Sequence, residues 1–282
     1  GVKAISYLDK EKLEDEISSA DILSTAVGAS ALPSIAGPIA AGLMARWRKQ
    51  NFKPLNILLG ENMVDADKYF AGLVEAELRE PDLIKTFRDI VGVVDTSVER
   101  LVPVIADEMR FGHPLRTWAS DAFVFPVDKN AFKGEIPDLK YMILLKDFEF
   151  YKKRKIFVFN SGHSIMAYLG HVKGYKRMSQ AYKDPAVVQA AYHAMFESAS
   201  ALCSEFGIPL DETLQRIRQM TLSHSDSLDD EIARVGRDPL RKLSDNERLI
   251  GPAKLATRHG HIPLYLGLAT AAALHFDAEH DT

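Results

Sequence analysis

Within Lys155-Ile156-Phe157-Val158-Phe159-Asn160-Ser161-Gly162-His163, a lysine, an amide and an imidazole stand five and three residues apart. On an α-helix of about 3.6 residues per turn they project within an arc of roughly 140°, with Lys155 and Asn160 at the edges and His163 between. Apolar residues fill the gaps, as expected for one wall of a polar pocket. A lysine that is partly desolvated, or set near other cations, holds its proton less tightly and can accept one near neutrality. Asn160 can donate its amide N–H to an oxygen that gains negative charge as a carbonyl is reduced or an alcohol oxidised. His163 can bind a substrate hydroxyl or hold the lysine in place. The same residues also suit a solvated basic helix start (Lys152, Lys153, Arg154, Lys155), a capping residue and a core histidine. Spacing alone leaves both readings open.

A second group that could do chemistry is cationic: Arg234, Arg237, Arg241 and Lys242. Arginine forks match phosphate oxygens in pairs, and lysine adds a point charge. The competing reading is a solvated helix end paired with Asp229, Asp230 and Glu231.

Positioning these groups requires a scaffold, and its outline is legible. Asp21 to Gly28 reads as a buried strand entering a tight turn, Leu32 to Trp47 as an alanine-rich helix, and Leu55 to Gly60 as a second short strand. Strand, helix, strand implies a parallel sheet with a right-handed crossover. Ligands of such sheets lie beyond the carboxyl ends of the strands, where Thr25 to Gly28 and Glu61-Asn62 fall. Asp65 to Glu80 reads as a helix stopped by Pro81, and Val91 to Val94 and Ala122 to Val127 as strands that continue the sheet. After Val127 the pattern turns helical, which divides the chain into 1–127 and 128–282. Asp184-Pro185 opens a helix that Gly207 ends, with Val187, Val188, Ala191 and Met195 on its buried face, and Asp211 caps another through Met220. The expected fold is α/β: a partial Rossmann-type parallel-sheet domain followed by a mostly α-helical substrate domain.

The totals exclude several classes. A net charge of −4 argues against a generic nucleic-acid binder, and the longest apolar run, around Pro263 to Phe276, is short for a membrane span. The single cysteine, Cys203, rules out an intrachain disulfide and reads as a packed small hydrophobe. Nine histidines and that cysteine show no compact metal-ligand spacing, so no metal is expected. No two of the 17 glycines lie two apart, so the chain contains no G-x-G-x-x-G fingerprint.

Lys155-x4-Asn160-x2-His163, followed by Ala167-Tyr168-Leu169-Gly170, resembles the signature of the polyol-specific long-chain dehydrogenases. Blocks in the same order agree: Thr25-Ala26-Val27-Gly28, Glu61-Asn62-Met63-Val64, Phe132-Lys133-Gly134 and Val235-Gly236-Arg237-Asp238-Pro239-Leu240-Arg241-Lys242-Leu243. The resemblance covers nearly the whole chain. It implies an NAD-dependent, metal-independent, cytoplasmic oxidoreductase that interconverts D-mannitol 1-phosphate and D-fructose 6-phosphate by hydride transfer. By the same resemblance Lys155 is the general acid/base, Asn160 and Asn62 hold the reacting oxygen, and His163 orients the substrate or Lys155. Thr25, Ala26, Val27, Gly28 and Glu61 fall to the cofactor, and Glu99, Arg237, Arg241 and Lys242 to the sugar phosphate. The chain departs from the family at Glu99-Arg100, where Asp-Arg is usual, and at Leu222-Ser223-His224-Ser225, where Arg-Phe-x-Asn is usual. An unphosphorylated polyol or a hexuronate is the alternative substrate. The family's glycine fingerprint is missing, so the chain is expected to be part of a longer enzyme. The alternative is a non-catalytic sugar-phosphate-binding form.

Overall fold

The computed structural model describes residues 3–98, 102, 105–114, 116–119, 124–222 and 230–277. Contacts divide the chain into two compact units: Gly1–Leu101 with Ser120–Phe148, and Val102–Ala119 with Glu149–Thr282.

In the first unit, α1 (Lys10–Ser19) leads into a parallel sheet of β1 (Ile22–Thr25), β2 (Leu55–Leu59) and β3 (Val91–Asp95), ordered β1-β2-β3. Helix α2 (Leu32–Arg48) crosses from β1 to β2, and α3 (Ala66–Leu78) with α4 (Pro81–Ile90) crosses from β2 to β3. Crossover helices cover a parallel sheet, so its central strand carries an almost unbroken apolar run. Every residue of β2 is buried accordingly, and Ile57 and Leu59 pack with Leu32, Leu43, Phe70 and Val74 in the core. Thr25 pairs with Leu59 and Leu59 with Asp95, so the three strands end level and their exit loops share one edge. This is the expected Rossmann-type arrangement.

Three details differ from the sequence expectation. Helix α1 is an additional element, capped by the Asp9 carboxylate, which accepts from the Lys12 amide. Pro81 does more than stop α3: it occupies the first turn of α4, where its missing N–H costs nothing. The strand near Val127, β4 (Phe125–Asp128), does not continue the sheet. It pairs in parallel with β5 (Met142–Leu145); among the described residues its hydrogen-bonded links to the first sheet are the Thr96–Val127 bridge and the Ser97 N–H, which donates to the Pro126 carbonyl at 2.9 Å. Pro126 turns that carbonyl toward Ser97 but has no N–H to pair on the same side, so the ladder cannot extend there.

The second unit is helical. Residues 148–172 form one continuous rod: α5 (Phe148–Lys153), a π-helical stretch (Arg154–Asn160) and α6 (Ser161–Val172). After it come α7 (Met178–Lys183), α8 (Pro185–Phe206), α9 (Asp211–Leu222), α10 (Ile232–Gly236), α11 (Pro239–Lys242), α12 (Ile250–Arg258) and α13 (Leu264–Leu274). Helix α8 starts and stops as its sequence dictates: the Asp184 carboxylate accepts from the Ala186 and Val187 amides, and Gly207 follows its last turn. The side chains of Lys173 and Tyr175 donate to the same carboxylate and hold its pKa at about 2. Ala191, Ala194, Met195 and Ala199 of α8 pack with Ile165, Met166 and Tyr168 of α6 and with Leu266 and Ala269 of α13. Val187 is buried, Val188 only half so, and Cys203 is packed inside.

Helix α13 begins after Pro263, which has no side chain able to cap it. Glu197 of α8 does so from a distance, accepting from the Tyr265 and Leu266 amides at 2.9 Å each. Charge-assisted hydrogen bonds at a helix N-terminus combine the orphan donors with the helix dipole. Glu197→Ala is therefore expected to destabilise the protein by about 2 kcal/mol in urea unfolding. A change within experimental error would show that water caps α13 equally well.

Among the described residues, no helix is long and apolar enough to cross a membrane, and no group of three or more His, Cys, Asp or Glu could hold a metal ion.

Candidate active site

Lys155 and Asn160 lie on the π-helical stretch, not on an α-helix as the spacing predicted. The Ser161 amide donates to the Ile156 carbonyl, five residues back instead of four. On such a turn the residue five positions on returns beneath the first, so Lys155 and Asn160 share a face. His163 follows three residues later in α6, roughly 60° round from Asn160. The row is thus tighter than α-geometry allows. Ile156, Phe157 and Val158 are buried while Lys155, Asn160 and His163 are half-buried, so apolar residues anchor the turn and leave the polar ones partly open. Isolated π-turns of this kind occur often at functional sites.

The helices behind the rod press close because glycines let them. A Cβ on Gly162 would come within 2.3 Å of the Met195 sulfur, and Met195 is fully buried. Gly162→Ala is expected to cost about 1–3 kcal/mol through overpacking, measured by denaturant unfolding. Unchanged stability would mean that Met195 repacks freely.

Around His163 the second unit gathers charge. Burial holds the imidazole below its usual pKa; Asp230 opposes this, while Lys242, Arg234 and Arg248 reinforce it. The ring is therefore neutral at pH 7, with one nitrogen to donate and one to accept. Lys242 is 4% exposed, donates to the Val235 carbonyl and lies 5.8 Å from the Tyr168 ring centre. Burial first, then Arg248, Arg241 and Arg237, bring its pKa down to about 7 against the pull of Asp238.

The structure separates the cations that the sequence grouped. Arg234 is committed to Asp230 through both arms of its fork. Arg241 is held by Asp238 at 2.5 Å and Glu247 at 2.9 Å. Arg237 is exposed and makes no side-chain ion pair among the described residues. Glu231 lies 3.6 Å from Arg177, and Asp229 falls outside the described residues. The cation that sequence reasoning missed is Arg248, 7% exposed, whose Nε donates to Glu247 Oε2 at 3.1 Å. Its Nη2 is buried without a hydrogen-bond partner. Glu247-Arg248 reads as an ordinary pair of surface charges, and no local pattern distinguishes it from one.

In the first unit, Glu61 is buried at 3% exposure and its carboxylate accepts from the Thr25 hydroxyl at 2.6 Å and the Val27 amide at 3.1 Å. The Gly60 amide donates to the Thr25 carbonyl at 3.0 Å, and a Cβ on Gly60 would lie 2.8 Å from that oxygen. Glu61 therefore ties the exit of β1 to the exit of β2. Ala26, Val27, Gly28 and Asn62 are exposed beyond those strand ends. Glu99 and residues 223–225 lie outside the described residues.

A parallel sheet with polar loops at its strand ends, joined in one chain to a helical unit bearing a Lys–Asn–His row, defines a dehydrogenase of two-domain type. Residues 1–141 match the mannitol dehydrogenase Rossmann domain and residues 147–282 the mannitol dehydrogenase C-terminal domain. The chain belongs to the mannitol dehydrogenase family. It is 34% identical to a mannitol-1-phosphate 5-dehydrogenase of Brevibacillus brevis, over 100% of this chain and 72% of that protein. A Bacillus licheniformis protein of the same name is also 34% identical, over 99% of this chain and 73% of its own. Among solved structures, Pseudomonas fluorescens mannitol 2-dehydrogenase in a ternary complex with NAD and D-mannitol superposes with a TM-score of 0.77 at 17% identity. The match covers 94% of this chain and 61% of that one, so this chain spans less than two thirds of the solved protein. A D-sorbitol dehydrogenase superposes with a TM-score of 0.71 at 16% identity, covering 95% of this chain and 62% of that one.

Proposed function

We propose that the protein interconverts D-mannitol 1-phosphate and D-fructose 6-phosphate with NAD as the hydride carrier. The supporting observation is 34% identity across the whole chain to mannitol-1-phosphate 5-dehydrogenases. In oxidation, Lys155 takes the proton of the reacting hydroxyl as general base, and in reduction it returns that proton as general acid. Asn160, on the same face of the π-turn, donates its amide N–H to the reacting oxygen, and Asn62 is assigned the second such donor. Neutral His163 orients a substrate hydroxyl or the Lys155 amine. Arg237, Arg241 and Lys242 supply the positive field for the phosphate, and Glu99 is assigned to a substrate hydroxyl.

The residues present suit the reactive end of the cofactor. Ala26, Val27 and Gly28 offer exposed backbone at the strand ends, on a turn that Glu61 and Thr25 hold in place. They would line it, while the glycine fingerprint for its pyrophosphate is not among the residues of this chain. When bound, the nicotinamide accepts or supplies the hydride.

The test is NADH oxidation by the full encoded protein, supplied with fructose 6-phosphate or with free fructose. Turnover that depends on fructose 6-phosphate is the expected result. Equal turnover of fructose would replace the phosphorylated substrate by a free polyol or hexuronate. Cofactor-independent binding of the sugar phosphate without turnover would make this a non-catalytic form.

A further inference from the structure

We infer that Arg248 is the residue through which this site reads the phosphate of its substrate, taking a phosphate monoester dianion on a fork that the fold leaves half filled. The inference rests on the phosphorylated substrate proposed above and names the side chain that selects it. Arg248 stands two residues before α12, 7% exposed, with its Nε on Glu247 and its Nη2 without an acceptor. A buried guanidinium N–H with no partner is rare, because nothing in the resting protein compensates its lost hydration. Glu247 does not fill it: its Oε2 accepts from Arg248 Nε and its Oε1 from Arg241 Nη1.

Placement and charge point the same way. Arg248 lowers the pKa of both Lys242 and His163, so it belongs to the charged cluster around His163. Among the described residues, the acids in that cluster are Asp238 and Glu247, with Asp230 already neutralised by Arg234. Against them stand Arg237, Arg241, Arg248 and, when protonated, Lys242, an excess of two positive charges. A phosphate monoester carries close to two negative charges at pH 7. The open Nη2 gives a charged phosphate oxygen a charge-assisted hydrogen bond, roughly twice as strong as a bond to the neutral hydroxyl of a free polyol. Because Nη2 is closed to water, the incoming oxygen reaches it only as the neighbouring side chains shift, and it then meets a donor that solvent does not compete for.

The experiment compares wild type, Arg248→Met and Arg248→Lys in the full protein. Its first readout is the ratio of kcat/KM for fructose 6-phosphate to that for free fructose. Its second is the rise in melting temperature with added inorganic phosphate. Arg248→Met should lower the ratio about 10²-fold, mainly through KM for fructose 6-phosphate, and should abolish the phosphate-induced rise. Arg248→Lys, which keeps charge but loses the fork, should fall between. A methionine variant that keeps the wild-type ratio, or loses both substrates equally, overturns the assignment. Should the methionine variant fail to fold, equal stabilisation of Arg248→Lys and wild type by phosphate overturns it as well. No preference for fructose 6-phosphate in the wild type would overturn the substrate reading and this assignment together, whereas preference retained in the variant overturns the assignment alone.

Discussion

Lys155→Ala is expected to lower kcat by at least about 10³-fold, with little change in KM or in melting temperature. The loss should be large because removal of a proton-transfer group acts on the transition state more than on the bound substrate. The fold should survive because the buried Ile156, Phe157 and Val158, not the half-buried Lys155, anchor the π-turn. Primary amines added to the alanine variant should restore part of the activity, which a purely structural role would not permit. The structure supplies a rival for the role, since the pKa of the buried Lys242 is brought down to about 7. Near-wild-type turnover by Lys155→Ala, with turnover lost in Lys242→Met and restored there by amines, would transfer the proton to Lys242.

The second large effect concerns stability. Lys242→Met should stabilise the protein by about 1–3 kcal/mol at pH 7 while raising KM for fructose 6-phosphate about 10²-fold. Lys242 is buried among Arg248, Arg241 and Arg237, and its pKa falls from an ordinary 10.5 to about 7. Between those values the unfolded chain binds the proton and the folded protein does not, so stability rises with pH. The cost of burying the charge is complete below about pH 7 and is relieved as the pH climbs toward 10.5. Methionine removes that cost and retains most of the apolar packing, although the Val235 carbonyl loses its donor, a debit of about 1 kcal/mol. The advantage of Lys242→Met should therefore shrink from pH 7 to pH 10 in urea unfolding. A variant less stable than wild type at pH 7 would mean that the buried lysine is charged and well paired. The proposed anion site gives a reason for a lysine in so unfavourable a place: a phosphate would restore its charge.

The helix from Asp184-Pro185 to Gly207 could be read residue by residue, as could the strand, helix, strand from β1 to β2. Caps, prolines and apolar periodicity act within a few residues, so they need no knowledge of the rest of the chain. Where the signal depends on a distant partner, reading failed. β4 looks like one more strand of the sheet until the side of Pro126 that faces Ser97 is known. The tie from the Glu61 carboxylate to Thr25 and Val27, at the exit of β1 and 34–36 residues earlier in the chain, likewise left no mark in the local sequence.

By itself, then, the sequence determined the helices with strong caps, the βαβ start and the residue types that could move a proton or meet a phosphate. All of these follow from local sterics, hydrogen bonding and side-chain chemistry. Only the tertiary structure decided that the row of Lys155 and Asn160 stands on a π-turn, because helix pitch there depends on what the buried Ile156, Phe157 and Val158 pack against. Only the tertiary structure decided which cations are exposed, which are paired, and that Arg248 is buried with an unfilled donor. Desolvation and electrostatic coupling belong to the packed arrangement, and two arginines a few residues apart in sequence meet opposite fates within it.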